Sequence, residues 1–231
     1  MPDGWRQRLA SLPLQPPPDP GGRVLIVSAH PDDEVLAVGG WLAEQAGREL
    51  VFVTATDGEA SHPSSASITP DELRARRPDE LRRALELLGI ERPDVRRLRL
   101  PDGELDRFRG DLRRHLQPLV LAADLVLCPF ERDGHPDHDA VGEVVMELCP
   151  AEVVLWRFPV WTWAWTRPAD QPWIPAVRRL DTTSVARHRK RRAISAFTTQ
   201  VRPVGDGAGD GPVLEEALLR HARLAPEAVI A

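Results

Sequence analysis

The sequence predicts an α/β protein: one domain of three layers, in which helices cover both faces of a mostly parallel, Rossmann-like sheet. Two observations support this prediction. Short runs rich in β-branched residues alternate along the chain with longer segments that have helical periodicity. Acidic histidine motifs also follow two of these runs, at the positions where parallel strands end and helices begin.

The predicted strands and helices succeed one another from Arg23 onwards. Strands are expected in the short apolar runs RVLIVSA, ELVFVTAT, VRRLRL, DLVLCPF and EVVLWRF. Helices are expected in EVLAVGGWLAEQAG, in the segment ending with LRRALELLG, near FRGDLRRHLQPLV, in DAVGEVVMELC and in RHRKRRAISAFTTQ. The run from Thr69 to Glu72 marks a helix start, because it offers a capping hydroxyl, a proline in the first turn and a glutamate three residues on.

Two segments lie outside this alternation. Residues 1–22 are rich in proline and end in PGG, which predicts an extended leader on the surface or a mobile one, so that the domain proper covers residues 23–231. In WRFPVWTWAWT, Trp161, Trp163 and Trp165 stand at every second position, which predicts one face of a strand. That face either stacks on a sugar ring or apolar group of a ligand, or belongs to the core or a subunit contact.

The composition is typical of a globular protein, with 42% hydrophobic and 28% charged residues. No window has the apolar length that crosses a bilayer and the N-terminus has no hydrophobic signal core, so we expect a cytoplasmic protein without a membrane span. The net charge of −5 and the lack of aromatic residues around the basic run Arg187–Arg192 argue against a nucleic-acid partner. Cys128 and Cys149 are expected as reduced thiols, and the oligomeric state stays open.

Two motifs carry the functional prediction: HPDDE, which starts at His30, and HPDHD, which starts at His135. Each alone suits a helix N-terminus, because proline fits the first turn and carboxylates stabilise the positive end of the helix dipole. Capping does not require a histidine before the proline in both places. A divalent metal ion does require such donors, and the pair of motifs therefore indicates a metal site.

A catalytic zinc ion takes about three protein ligands and keeps a fourth position open for water. His30 and Asp33 can converge on one ion across a turn, and His138 can reach that ion from the neighbouring strand end. Asp32 then stays free beside the metal, where a general base for the attacking water must stand.

The pair AHPDDE and HPDH resembles the PIG-L/LmbE-like family of metal-dependent N-deacetylases, which act on N-acetylglucosaminyl groups. The likeness runs from about Arg23 to Gln200 and includes VTATDGE, RRPDELRRALELLG, LPDGEL and KRRAISAFTTQ. It implies an enzyme that releases acetate from an amino-sugar conjugate with one zinc ion, iron and manganese being the alternative metals. It also implies the same ligands, His30, Asp33 and His138, and the same base.

The resemblance implies four further site residues. His135 would stabilise the oxyanion as an imidazolium or act as an acid, and Asp137 would orient it. Arg77 and Asp102 would contact the sugar or its aglycone. These last two have simpler explanations as well, because arginines surround Arg77 and a PDG turn accounts for Asp102 without a ligand.

Three other functions stay open on the sequence alone. An amidase for a non-sugar amide would use the same metal site on a different bond. A non-catalytic nucleotide-binding module would need a glycine-rich turn where SAHPDDE stands, and the carboxylates there repel phosphate. A metal-dependent scaffold without turnover would keep its biological activity when Asp32 is replaced by alanine.

Overall fold

A seven-stranded sheet forms the centre of the computed structural model, which describes residues 2–45 and 47–231. The strands are β1 (Val24–Ser28), β2 (Leu50–Thr54), β3 (Asp94–Arg97), β4 (Leu125–Pro129), β5 (Val154–Phe158), β6 (Val177–Arg179) and β7 (Ala228–Ile230). Their order is β3-β2-β1-β4-β5-β7-β6. The first five strands are parallel, and β7 pairs antiparallel with both β5 and β6.

Helices lie on both faces of this sheet. They are α1 (Pro2–Ser11), α2 (Asp33–Leu42), α3 (Pro70–Leu88), α4 (Arg109–Val120), α5 (Pro136–Leu148), α6 (Thr162–Trp165), α7 (Ser184–Ile194), α8 (Thr198–Val201) and α9 (Glu216–Leu224). Side chains alternate between the faces of a strand. Accordingly, Val24 and Ile26 of β1 face a core with α2, α3, α7 and α9, whereas Leu25 and Val27 face a core with α4 and α5. The predicted three-layer α/β fold is confirmed.

Local signals also specify helix ends. The predicted capping box at Thr69 is present: its hydroxyl accepts from the Glu72 backbone N–H, and the Glu72 carboxylate accepts from the Thr69 N–H. The helix predicted over EVLAVGGWLAEQAG spans Asp33–Leu42, and Ala46 of that stretch lies outside the described residues. No helix of the described residues is long and apolar enough to cross a membrane.

A kink interrupts α2 at Val38, whose φ and ψ are −125° and 21°. Two buried charged side chains satisfy the backbone groups that the kink leaves without helical partners. The Glu227 carboxylate accepts from the N–H groups of Gly40 and Trp41 at 2.6 and 2.8 Å. Lys190 donates to the carbonyl of Ala37 at 3.1 Å and pairs with Glu227 at 2.7 Å. The kink is thus held from α7 and from the start of β7.

The N-terminal segment differs from the expected extended leader. Residues Pro2–Ser11 form a helix, and its side chains Trp5 and Leu9 are fully buried. Trp5 packs edge-on against Trp163 at 5.0 Å and stacks on Trp173 at 5.3 Å. Two apolar residues four apart are a helical signal, and the many prolines after Ser11 obscured it. The domain boundary at residue 22 stays a prediction.

The strand predicted over the tryptophans is also wrong. Strand β5 ends at Phe158, and Thr162–Trp165 form a single helical turn. The physical reason is Asp133, whose carboxylate accepts from three successive backbone N–H groups, as at a helix N-terminus. The indoles consequently diverge: Trp163 is in a core cluster, Trp161 is half-buried and Trp165 is 53% exposed.

Candidate active site

The two histidine motifs meet at the carboxyl edge of the sheet. Strands β1 and β4 are parallel neighbours, so the segments that follow them lie side by side. His30 lies in the turn after β1, and Asp33 opens α2. His135 is the N-cap of α5, and His138 lies in the first turn of that helix. Parallel pairing thus brings together side chains more than 100 residues apart in sequence.

Three donor groups converge at this edge. His30 Nδ1 lies 3.3 Å from His138 Nε2. The Asp33 carboxylate faces both rings with different oxygens: Oδ1 lies 3.2 Å from His138 Nε2 and Oδ2 lies 3.7 Å from His30 Nδ1. Ligand atoms about 2.0–2.1 Å from a tetrahedral zinc ion are about 3.3 Å from one another. The two ring nitrogens therefore have the spacing of ligands on one divalent ion, and the buried Asp33 carboxylate lies next to both of them. That His30, Asp33 and His138 together hold the ion stays a prediction.

The other ring nitrogens of His30 and His138 face carboxylates. His30 Nε2 lies 3.0 Å from Asp102 Oδ1 and 3.3 Å from Asp137 Oδ2, and His138 Nδ1 lies 2.7 Å from Asp133 Oδ2. A carboxylate that accepts one ring N–H fixes the tautomer and directs the other nitrogen toward a metal. The orientation of both rings is thus defined by the protein itself.

Asp102 and Asp137 both face the ring of His30. Asp102 also accepts from the Ala60 N–H at 2.8 Å, and Asp137 accepts from the N–H groups of Gly103 and Leu105 at 2.7 and 3.0 Å. Together with His30 they form a group whose ligand atoms lie within 4.8 Å of one another. Since backbone donors already hold both carboxylates, they are best placed to orient His30. Asp102 also lines the cavity, so a substrate contact stays a prediction.

His135 is held by the backbone of Asp137 rather than by its carboxylate. Its Nδ1 accepts from the Asp137 N–H at 3.3 Å. The ligand atoms of His30, His135 and His138 all lie within 4.8 Å of one another, so His135 stands beside the same centre. Burial, together with the nearby His30 and His138, lowers the pKa of His135 to about 4. This environment favours the neutral ring, and a role of His135 as an imidazolium stays a prediction.

Asp32 and Arg77 form a buried pair beside the three donors. Arg77 Nη2 donates to Asp32 Oδ2 at 2.9 Å and Nη1 donates to the Gly58 carbonyl at 2.8 Å. Burial raises the pKa of Asp32, and the Arg77 charge opposes that rise. Gly58 has φ +70°, and a Cβ there would overlap the guanidinium. Arg77 thus contacts the predicted base, Asp32. Arg77 also lines the cavity, so its predicted contact with substrate stays a prediction.

Sequence reasoning missed Asp133, which is 1% exposed. Its carboxylate holds His138 and also accepts from Val160, Trp161 and Thr162 on the α6 side. An acid two residues before HPDH was the available signal. Nothing in the sequence indicates its acceptor role toward residues some 30 positions further on.

A cavity of about 170 Å³ opens above these side chains. Its lining combines the site residues already described and Ala60, Ser61, Gly103 and Gln200 with the apolar side chains of Leu36, Val160, Trp161, Val213 and Leu214. A ligand in the cavity would therefore contact both polar and apolar groups.

The fold and this cluster define a class of protein: an α/β protein with a His/Asp metal-ligand group at the carboxyl edge of a parallel sheet. Within that class, the chain belongs to the PIG-L family, whose model, described as GlcNAc-PI de-N-acetylase, matches residues 25–149.

Comparison with individual proteins agrees with this assignment. The chain is 39% identical over 132 residues to a probable N-acetyl-α-D-glucosaminyl L-malate deacetylase 2 of Bacillus anthracis, covering 54% of this chain and 58% of that protein. It is 37% identical over 143 residues to the 1D-myo-inositol 2-acetamido-2-deoxy-α-D-glucopyranoside deacetylase of Kineococcus radiotolerans, covering 58% of this chain and 38% of that protein. The matches thus span about half the length of these curated relatives.

Among solved structures, the chain is similar to the antimicrobial reagent A40926 pseudoaglycone deacetylase Dbv21. The identity is 26% and the TM-score is 0.59, and the match covers 90% of this chain and 94% of that one. The similarity therefore extends beyond residues 25–149.

Proposed function

We propose that the protein is a metal-dependent hydrolase that removes the N-acetyl group from an N-acetylglucosamine-type amino sugar or its conjugate and releases acetate. One observation carries this proposal: ring nitrogens of His30 and His138 lie 3.3 Å apart and next to the Asp33 carboxylate, beside the buried carboxylate of Asp32. The names of the relatives in the two curated matches and the structural neighbour support an N-deacetylation.

Zinc is the metal that best suits two imidazoles and one carboxylate, with iron and manganese as alternatives. When bound, it would supply a Lewis acid for the acetamide carbonyl and for the attacking water. The side chains His30, Asp33 and His138 would hold it, with the carboxylates on their outer nitrogens keeping both rings in place.

Asp32 is the proposed general base. Arg77 holds its Oδ2, which fixes the carboxylate toward the cavity and leaves Oδ1 to take a proton from water. Burial raises the pKa of Asp32, which strengthens the carboxylate as a base, so that the acid formed in this step holds the proton until the C–N bond breaks. The leaving amine of the sugar receives it when the tetrahedral species collapses.

His135 is the proposed donor to the oxyanion. Because its Nδ1 accepts the Asp137 N–H, the neutral ring carries its hydrogen on Nε2. A neutral N–H donor in a water-poor cavity stabilises charge that develops on the carbonyl oxygen. This role needs no protonated histidine, in agreement with its lowered pKa.

Acetate release tests the proposal. The zinc-loaded protein is assayed with N-acetylglucosamine conjugates and with non-sugar acetamides, and its metal content is measured. We expect Asp32→Asn to lose about 10²–10⁴-fold in kcat while it retains the metal. Asp79→Asn, an exposed acid on α3, serves as the control. Full activity of Asp32→Asn would refute the assigned base, and turnover confined to non-sugar amides would favour the amidase.

Three sequence-based expectations stay predictions: a cytoplasmic location, a division of the chain near residue 22, and the contacts of Arg77 and Asp102 with substrate. The two curated relatives are named as deacetylases of amino-sugar conjugates, one with inositol and one with malate.

A further inference from the structure

Helix α1 is joined to the turn of α6, next to the active site, through the buried indole of Trp5. Trp5 is fully buried, and its Nε1 donates to the Thr166 carbonyl at 3.0 Å. Its ring lies edge-on to Trp163 at 5.0 Å and is stacked on Trp173 at 5.3 Å, with an interplanar angle of 10°. These ring pairs and the paired indole N–H give Trp5 a defined orientation against its neighbours. Trp5 takes no part in the proposed chemistry, so these contacts point to a role through its neighbours.

The turn of α6 depends on contacts at both of its ends. It spans four residues, Thr162–Trp165, and a helix this short is not stable by itself. At its start, the Asp133 carboxylate accepts from three successive backbone N–H groups. At its end, the N–H and the hydroxyl of Thr166 donate to the Thr162 carbonyl at 3.1 and 2.7 Å. Because the Thr166 carbonyl accepts from the Trp5 indole, α1 holds the end of the turn while Asp133 holds its start.

The turn of α6 supplies the cavity with aromatic surface. Trp161, at the N-cap of the turn, lines the cavity, and its ring is 6.3 Å from that of His135 at an interplanar angle of 21°. Trp165, at the end of the turn, stacks on Trp161 at 4.7 Å and 19°. A change in the tilt of the turn would therefore move the Trp161 ring relative to His135, the proposed oxyanion donor. The cavity is only about 170 Å³, so such a movement would change the space that a substrate occupies.

We propose that Trp5 is a positioning residue for substrate binding, which keeps the turn of α6 at the tilt that places Trp161 at the cavity. Its indole acts through Thr166 and Trp163. This inference rests on the proposed deacetylase function and adds to it a residue outside the metal site.

The predicted metal ligands belong to other parts of the fold. His30 and Asp33 follow β1, and His138 is in the first turn of α5. Asp133, which faces His138 Nδ1 at 2.7 Å, holds the start of the α6 turn and not the end that Trp5 holds. Loss of the Trp5 contacts should therefore weaken substrate binding and leave metal binding intact.

The first test measures the steady-state kinetics of acetate release from methyl N-acetylglucosaminide by the zinc-loaded protein. We expect Trp5→Ala to raise KM about tenfold, below the roughly 100-fold that a 1 Å displacement of a positioned group can cost. Its kcat and its zinc affinity should stay near the wild-type values. Trp5→Phe, which keeps a flat ring but lacks the N–H donor, should raise KM less.

Trp156→Ala is the matched control. Trp156 is also buried, on β5, where its Nε1 donates to the Pro18 carbonyl at 2.9 Å and its ring packs edge-on against Trp41 at 5.1 Å. Its replacement removes a buried indole with the same kinds of contact, but none of these partners lines the cavity. Trp156→Ala should lose stability and keep the wild-type KM.

A second test needs no substrate. Near-parallel indoles in contact couple their electronic transitions and give a paired band in the far-UV circular dichroism spectrum. The band of the Trp161 and Trp165 pair is isolated as the difference between a protein and its Trp165→Phe version. We expect this difference band to be weaker in the Trp5→Ala background than in the wild-type protein, and unchanged in the Trp156→Ala background.

The outcomes separate this inference from the proposed function. A wild-type KM or an unchanged difference band in Trp5→Ala would overturn the positioning role. Equal changes in Trp5→Ala and Trp156→Ala would overturn it too, because they would show general loosening, and so would a loss of zinc affinity in Trp5→Ala. If no substrate releases acetate, the proposed function fails, and the difference band still decides whether Trp5 positions Trp161. If the alanine variants do not fold, Trp5→Phe and Trp156→Phe give the same comparison.

Discussion

Replacing Asp133 by asparagine should weaken metal binding and folding together. The carboxylate uses both of its oxygens: Oδ1 accepts from Val160, from the Thr162 N–H and from the Thr162 hydroxyl, and Oδ2 accepts from Trp161 and faces His138. Asparagine has one carbonyl oxygen, and its NH₂ group cannot accept a hydrogen bond. Whichever way the amide turns, donors on one side lose their acceptor.

The expected magnitudes follow from these contacts. Hydrogen bonds to a charged group contribute about 1.5–3 kcal/mol each, and buried unsatisfied donors cost about 1–3 kcal/mol. Asp133→Asn should therefore lower the free energy of unfolding by about 3 kcal/mol. If the NH₂ group faces His138, Nδ1 must accept and the ring hydrogen moves to Nε2, the nitrogen that faces Asp33 and His30. Loss of such an outer partner typically lowers metal affinity about 10–100-fold.

Two measurements check this prediction. Zinc affinity is determined by competition with a chromophoric chelator, and stability by urea unfolding of the metal-free protein. Asp210→Asn is the matched control: Asp210 is equally buried and accepts from two serine hydroxyls and the Gly207 N–H, but none of these partners is a proposed ligand. It should lose stability and keep its zinc affinity. Wild-type zinc affinity in Asp133→Asn would show that this carboxylate does not orient His138.

Three further changes have defined outcomes. Gly58→Ala places a Cβ against a buried guanidinium at φ +70° and should cost about 2 kcal/mol or more in urea unfolding; Gly21→Ala, at φ +76° with open space around it, isolates the backbone contribution. Burial, with the charges of Lys190 and Arg6, lowers the pKa of His221 to about 3. As the pH falls, the unfolded chain therefore takes up this proton before the folded protein does. The free energy of unfolding decreases by up to about 1.4 kcal/mol per pH unit between about pH 6.5 and 3. His221→Leu should flatten that slope in unfolding measured against pH, and an unchanged slope would contradict the assignment. Glu227→Gln leaves the Lys190 ammonium buried without its charged partner and should lower the free energy of unfolding by about 3–5 kcal/mol. The double variant with Lys190→Met should recover part of that loss. Additive losses would show that the pair is not coupled.

Local patterns made the central fold and the ligand cluster predictable. Strand runs such as VLIVS are buried along their whole length, as expected for parallel strands between two helix layers. The capping box at Thr69 depends on neighbouring residues alone. The convergence of His30 and His138 required one further rule, that the carboxyl ends of adjacent parallel strands share an edge.

The features that the sequence did not reveal depend on contacts between distant residues. Trp161, Trp163 and Trp165 have the spacing of a strand. The carboxylate of Asp133 instead accepts from three successive backbone N–H groups at the start of this segment and stabilises a helical turn. Strands β6 and β7 are three residues each, too short for a periodic signal. The burial of Trp5 requires Trp163 and Trp173 as partners, and no local pattern predicts that contact.

The concentration of carboxylates around one imidazole has an electrostatic explanation in this geometry. Asp33 faces the shared centre from inside, while Asp102 and Asp137 face His30 from outside. Burying several carboxylates together is unfavourable unless each has a hydrogen-bond donor or a cation, and here backbone N–H groups, ring nitrogens and Arg77 supply donors to each. A divalent cation held by the same ligands would add attraction to every one of these groups. The outer carboxylates thus serve two purposes at once: they orient the ring of His30, and their negative charge favours a cation at the centre over a neutral occupant.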